Sequence, residues 1–133
     1  MAAHEVRRKY LILYLCSFLA GLLLFFCRCL NLMNPDIVLL PEVILLHITN
    51  FSLSFIALLS FGFAMLVFGC KRLTIPIAAL LIAAFNIGYE IVLPILRTPD
   101  IADAVSGLLG IVLAYLLLLI LEKKGLTGKS PKE

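Results

Sequence analysis

Charge is scarce in this sequence. Only 14% of its 133 residues are Asp, Glu, Lys or Arg, against 63% hydrophobic residues, a balance outside the range of soluble domains. The few charges leave long gaps between them: 18 residues from Lys9 to Arg28, 28 from Glu42 to Lys71, 17 from Arg72 to Glu90 and 18 from Asp103 to Glu122. Alternating segments of about ten residues, the mark of a membrane β-barrel, are absent. No HExxH pair, no Ser-His-Asp spacing and no glycine-rich phosphate loop occurs either, so no motif points to a specific reaction. Cys27 and Cys29 are separated by one residue, which fits neither a structural zinc site nor an unstrained disulfide. The expectation for the four cysteines is small buried hydrophobes.

What is present are four apolar runs of the length a helix needs to cross a bilayer, roughly 17 to 25 residues. The fold expected is an all-α integral membrane protein, a four-helix transmembrane bundle with spans at residues 10–28, 47–68, 74–93 and 103–122. Residues 123–133 read as a short solvated tail rather than a domain. Nine of the 11 basic residues then fall on the side of the termini, and five of the eight acids fall on the other. The basic bias places both termini in the cytoplasm. Arg7, Arg8 and Lys9 precede the first run, but that run is too long for a signal-peptide core and lacks a small-residue exit, so it is read as a retained anchor. The first run also has no acid within it, which argues against a small drug–proton exchanger.

The loop from Arg28 to Leu46 is apolar and is expected to lie in the membrane interface. Pro41-Glu42 and Thr98-Pro99-Asp100 read as helix starts, with proline at the first helical position and an acid beside the positive end of the helix dipole. Asp100 therefore has two readings, stabiliser of a helix end or member of a site. Helical spacing groups Asp100, Asp103, Gly107, Gly110 and Ala114 on one face of the fourth helix. Ala79, Ala83, Asn86 and Glu90 share a face of the third, and His47, Asn50 and Ser54 one of the second. The small residues Gly107, Gly110, Ala114, Ala79 and Ala83 are read as close-packing seams, with the third and fourth helices meeting at Gly110. Such seams would gather the candidate functional cluster Glu90, Arg97, Asp100, Asp103, His47, Asn50 and Asn86 at one end. His47 is open to two readings, interface residue or ligand.

The pattern Arg97-x2-Asp100-x2-Asp103-x3-Gly107-x2-Gly110, preceded by Gly88-Tyr89-Glu90 and by a His47-Ile-Thr-Asn-Phe-Ser-Leu-Ser-Phe segment, resembles the VanZ-like family of small bacterial membrane proteins. Glu90, Arg97, Asp100, Asp103 and Gly110 match the family pattern. Gly107 stands where the family usually has asparagine, Leu93 where a glutamine often follows the glutamate, and Val43-Ile44 where an Asp-Lys pair is common. The resemblance is sharp over about 25 residues and looser over about 70. It implies a multi-pass protein of a bacterial-type cytoplasmic membrane and an effect on teicoplanin-type glycopeptide susceptibility.

The outward cluster has three chemical readings. Arg97 beside helix N-termini could pair with a phosphate or carboxylate of an envelope lipid or lipid-linked wall precursor, or form an internal ion pair with Asp100 and Asp103. Clustered carboxylates suit acid–base work on a lipid-borne substrate, so enzyme status stays open. Three carboxylates with His47 could also hold a divalent cation, although no metal and no cofactor is expected. A non-catalytic scaffold is the remaining alternative. Expected partners are membrane lipids or a lipid-linked precursor, with homo-oligomerisation open. Nucleic acid is not expected despite the net charge of +3, since the basic residues flank the membrane in short clusters.

Overall fold

The computed structural model describes residues 5–36, 39–70, 73–92 and 101–127, with the backbone alone described for 90–92. The architecture is helical: α1 (Arg8–Met33), α2 (Glu42–Val67), α3 (Thr74–Val92) and α4 (Ile101–Ile120), followed by a π-helical turn at Leu121–Gly125. Two-residue strands at the chain ends, β1 (Glu5–Val6) and β2 (Leu126–Thr127), pair antiparallel. α1, α2 and the stretch from Ile101 to Gly125 are long and apolar enough to cross a membrane; α3 is shorter, with its apolar part at Thr74–Tyr89.

Three of the helices outrun their expected spans at one end or both. α1 runs through Arg28 to Met33, because the Arg28 guanidinium turns along its own helix and donates to Asn31 Oδ1 at 3.1 Å. It stops where Pro35 pushes Asn34 into an extended conformation (φ −138°, ψ 93°), and the Asn34 N–H closes on Leu30 O. The expected long interfacial loop from Arg28 to Leu46 is thus mostly helix, with 34–41 left between α1 and α2, of which 37 and 38 lie outside the described residues. Pro41 takes the N-cap rather than the first helical position, its carbonyl accepting from Ile44 N and Leu45 N. The Thr98-Pro99-Asp100 helix start lies outside the described residues.

α2 ends on a glycine for a specific reason. Gly69 has φ 66°, the left-handed conformation, and this lets Cys70 N reach Met65 O at 3.0 Å and Gly69 N reach Leu66 O at 3.1 Å. Both are the paired closures of a Schellman cap. Pro76 sits within the first turn of α3, where a missing N–H costs little.

Along α2 the buried residues Leu45, Ile48, Ser52, Phe55, Leu59, Gly62 and Leu66 step by three and four in alternation. That is the 3.5-residue period of left-handed helix bundles. The core they enter joins Phe55, Leu58, Leu59 and Leu66 of α2 to Ile75 and Ala78 of α3, Ile111, Ala114 and Leu118 of α4, and Leu121. Ser52 survives in this core because its hydroxyl donates back to Ile48 O at 2.7 Å. α1 lies against α2: the Tyr14 and Phe63 rings stack with centroids 3.8 Å apart, and Gly21 faces Phe55. Cys16 is exposed on α1 rather than buried, while Cys27, Cys29 and Cys70 are half-buried and all four are free thiols.

The expected solvated tail also folds at its start. Arg7 N donates to Gly125 O at 2.8 Å, Thr127 Oγ1 donates to Glu5 O at 3.0 Å, and Leu126 packs against the core. Gly125 is buried against Tyr10, whose Cβ lies 3.1 Å from where a glycine Cβ would stand. Residues 128–133 lie outside the described residues.

Candidate functional site

With α1 and α3 running one way and α2 and α4 the other, one end of the bundle collects the starts of α2 and α4 and the close of α3. Six residues into α2 comes His47, and three residues into α4 comes Asp103. Their side chains meet: His47 Nδ1 and Asp103 Oδ1 are 2.7 Å apart. With the carboxylate accepting, the imidazole donates from Nδ1, and this contact orients the ring. The side chains are 25% and 23% exposed, held between helices yet reachable from outside.

A serine that carried no sequence expectation locks this pair. The Ser106 hydroxyl, one turn along from Asp103, is shared between Asp103 O at 2.8 Å and His47 O at 2.9 Å. One hydroxyl hydrogen thereby ties the α4 backbone to the α2 backbone where the two side chains join. The available signal was its place three residues after Asp103.

Asn86 enters from α3, one turn before Glu90. Its Nδ2 donates to Ala104 O at 3.3 Å, and its amide fills the space over Gly107, where a Cβ would come within 2.6 Å of the Asn86 Cγ. The glycine is thus the recess that admits the asparagine. Gly110 does something different. A Cβ there would strike the Phe51 carbonyl oxygen and come within 3.2 Å of the Phe51 carbonyl carbon, so Gly110 packs on α2, not on α3 as expected. The small-residue stripe of α4 turns across two partners because α4 lies in the groove between α2 and α3. Ala114 is fully buried, and Ala79 and Ala83 are half-buried against the core.

The structure brings together His47, Asp103 and Ser106, with Asn86 over Gly107 on the same end. Asn50 is half-buried one turn beyond His47. Arg97 and Asp100 lie outside the described residues, as does the side chain of Glu90. Among the described residues no group of three or more His, Cys, Asp or Glu side chains converges to hold a metal ion. Chemically, the site offers an imidazole held against a carboxylate, with the Asn86 carboxamide over Gly107. This set can bind a polar group by hydrogen bonds or move a proton. Comparison of the chain with protein-family models, with characterised proteins and with solved structures finds no match.

Proposed function

We propose that the chain is a four-pass protein of a bacterial-type cytoplasmic membrane, and that its outward end recognises a polar envelope component. The ligand class is an envelope lipid head group or a lipid-linked wall precursor. The pairing of β1 with β2 supports an even number of crossings, since it sets the two chain ends side by side. The excess of basic residues on that side supports a cytoplasmic location for both termini.

The observation that carries the reading is the His47–Asp103 bond of 2.7 Å across α2 and α4. Ionisable side chains inside membrane helices are costly and are kept facing the bundle or a hydrated recess, which is why they mark ligand and substrate sites. The resemblance of Glu90, Arg97, Asp100, Asp103 and Gly110 to the VanZ-like pattern favours the same end, and with it an effect on teicoplanin-type glycopeptide susceptibility.

Native mass spectrometry of the wild type, Asp103→Asn and His47→Ala, each purified from membranes, tests the reading. The wild type is expected to retain a defined polar lipid or lipid-linked glycan that both variants lose. Identical, unselective lipid profiles in all three would remove the head-group site. The dyad favours one further reading, because a carboxylate that orients an imidazole also prepares it for proton transfer. In that case the Asp103→Asn protein would still bind the lipid but leave its mass unchanged on incubation, while the wild type converts it.

A further inference from the structure

The end opposite the dyad carries a feature that the linear sequence divides. Arg7, Arg8 and Lys9 stand at one terminus of the described chain, and Lys123 and Lys124 at the other. The β1–β2 ladder brings them together: Glu5 pairs with Thr127, Val6 with Leu126, and Arg7 N bonds Gly125 O at 2.8 Å. The π-helical turn then places Lys123 and Lys124 immediately before that closure. All five cationic residues are exposed. Lys9 Nζ lies over the Tyr10 ring at 5.0 Å, and none of the five forms an ion pair with another described residue.

We infer that this assembled basic patch is a docking surface for anionic phospholipid head groups of the leaflet on the termini side. The argument is charge complementarity and placement. Five exposed cations, with the acids Glu5 and Glu122 beside them, sit at the very start of α1 and just past the end of α4, which is the level of the head groups if these helices cross a bilayer. Phosphates there are multivalent along the surface, and cations held together engage them more strongly than the same cations on two loose ends. The two-residue ladder thereby has a purpose beyond its own small stability: it fixes the register of two charged segments. Tyr10, packed against Gly125, keeps the ladder seated on the bundle. The inference assumes that the helices span a membrane but is independent of what the opposite end binds.

The test uses the full-length protein in detergent, titrated with phosphatidylglycerol or phosphatidylcholine and read by native mass spectrometry. The wild type is expected to retain phosphatidylglycerol in preference. The double variant Lys123→Gln/Lys124→Gln is expected to reduce that preference by on the order of fivefold per cation removed. Thr127→Pro removes the hydroxyl bond to Glu5 O and a backbone donor while leaving every charge in place, and is expected to weaken retention as well. Unchanged phosphatidylglycerol retention in the lysine variant overturns the surface. Retention lost in the lysine variant but intact in Thr127→Pro overturns its assembly by the ladder. A normal melting profile for each variant shows that folding is not the cause.

Discussion

α1 and α2 are the same length, 26 residues each, and the most apolar 18-residue stretch of α1 is more hydrophobic than that of α2. Yet α1 buries one residue, Gly21, and α2 buries nine. In water this order would be paradoxical, because burial there follows apolar area. In a bilayer the lipid is as apolar as leucine, so hydrophobicity chooses the membrane and not the neighbour. What chooses the neighbour is close backbone approach and polar bonding. α2 and α4 have both: Gly110 against the Phe51 carbonyl, Gly62 against Leu118, and the His47–Asp103–Ser106 network. α1 has Gly21 and an aromatic stack, and it remains on the outside.

The largest effect that separates the two helices is expected at their glycines. Gly110→Ala forces a methyl into a backbone carbonyl that cannot rotate away, so α2 and α4 must separate. The loss expected is about 3 kcal/mol, at the upper end for overpacking. Gly21→Ala meets only side-chain atoms, Phe55 Cδ1 at 2.9 Å and Ile56 Cγ1 at 3.0 Å, which can shift. Its cost is expected nearer about 1 kcal/mol. Denaturation of each variant by sodium dodecyl sulfate against the wild type gives the comparison. Equal losses would mean that the α1 and α2–α4 contacts are equally rigid, contrary to the contrast drawn above.

That contrast also marks what the sequence could and could not disclose. The charge gaps locate all four helices, since a run without charge in a chain this apolar has few alternatives. The first helix runs past Arg28 because an arginine can satisfy itself along its own helix, here through Asn31. Spacing placed His47 on one helix face and Asp103 on another, but periodicity says nothing of how two helices rotate against each other. Hence spacing alone puts Gly110 between the third and fourth helices, although α4 sits between two partners and Gly110 faces α2. Ser106 is not legible in the sequence because its task depends on the His47 carbonyl, and a backbone carbonyl has no sequence signature. The joining of the two chain ends through Glu5–Val6 and Leu126–Thr127 was likewise invisible: two-residue strands carry no alternation to detect.

A middle-sized effect is expected from the polar contact itself. A double-mutant cycle on His47→Ala and Asp103→Ala should give a coupling of about 1 kcal/mol, between the roughly 0.6 typical of interhelical hydrogen bonds in membranes and their upper range near 1.7. The pair is partly exposed, and the unfolded chain in detergent also finds partners for both groups, which keeps the figure modest. A coupling near zero would mean that the 2.7 Å contact serves orientation alone. Stability would then rest on the glycine seam, and the dyad would be free to change partners when a ligand arrives.

The smallest effect should come from the outer face of α1, and it is the one that bears on assembly. Leu23 is 63% exposed, among a run of exposed apolar side chains that includes Ile12, Leu15, Leu19 and Phe26. If lipid covers that face, Leu23→Ala exchanges contacts with acyl chains for other contacts with acyl chains, and the change should stay within about 0.5 kcal/mol. Leu58→Ala, at a fully buried position of α2, removes packing atoms that lipid cannot replace and should cost about 2 kcal/mol. A loss at Leu23 comparable to that at Leu58 would mean that α1 is covered by protein, and the nearest source is α1 of a second copy. Size-exclusion chromatography with light scattering would then show the wild type as a dimer and Leu23→Ala as a monomer. The low burial of α1 would in that case describe one protomer, and its rank below α2 would disappear in the assembly.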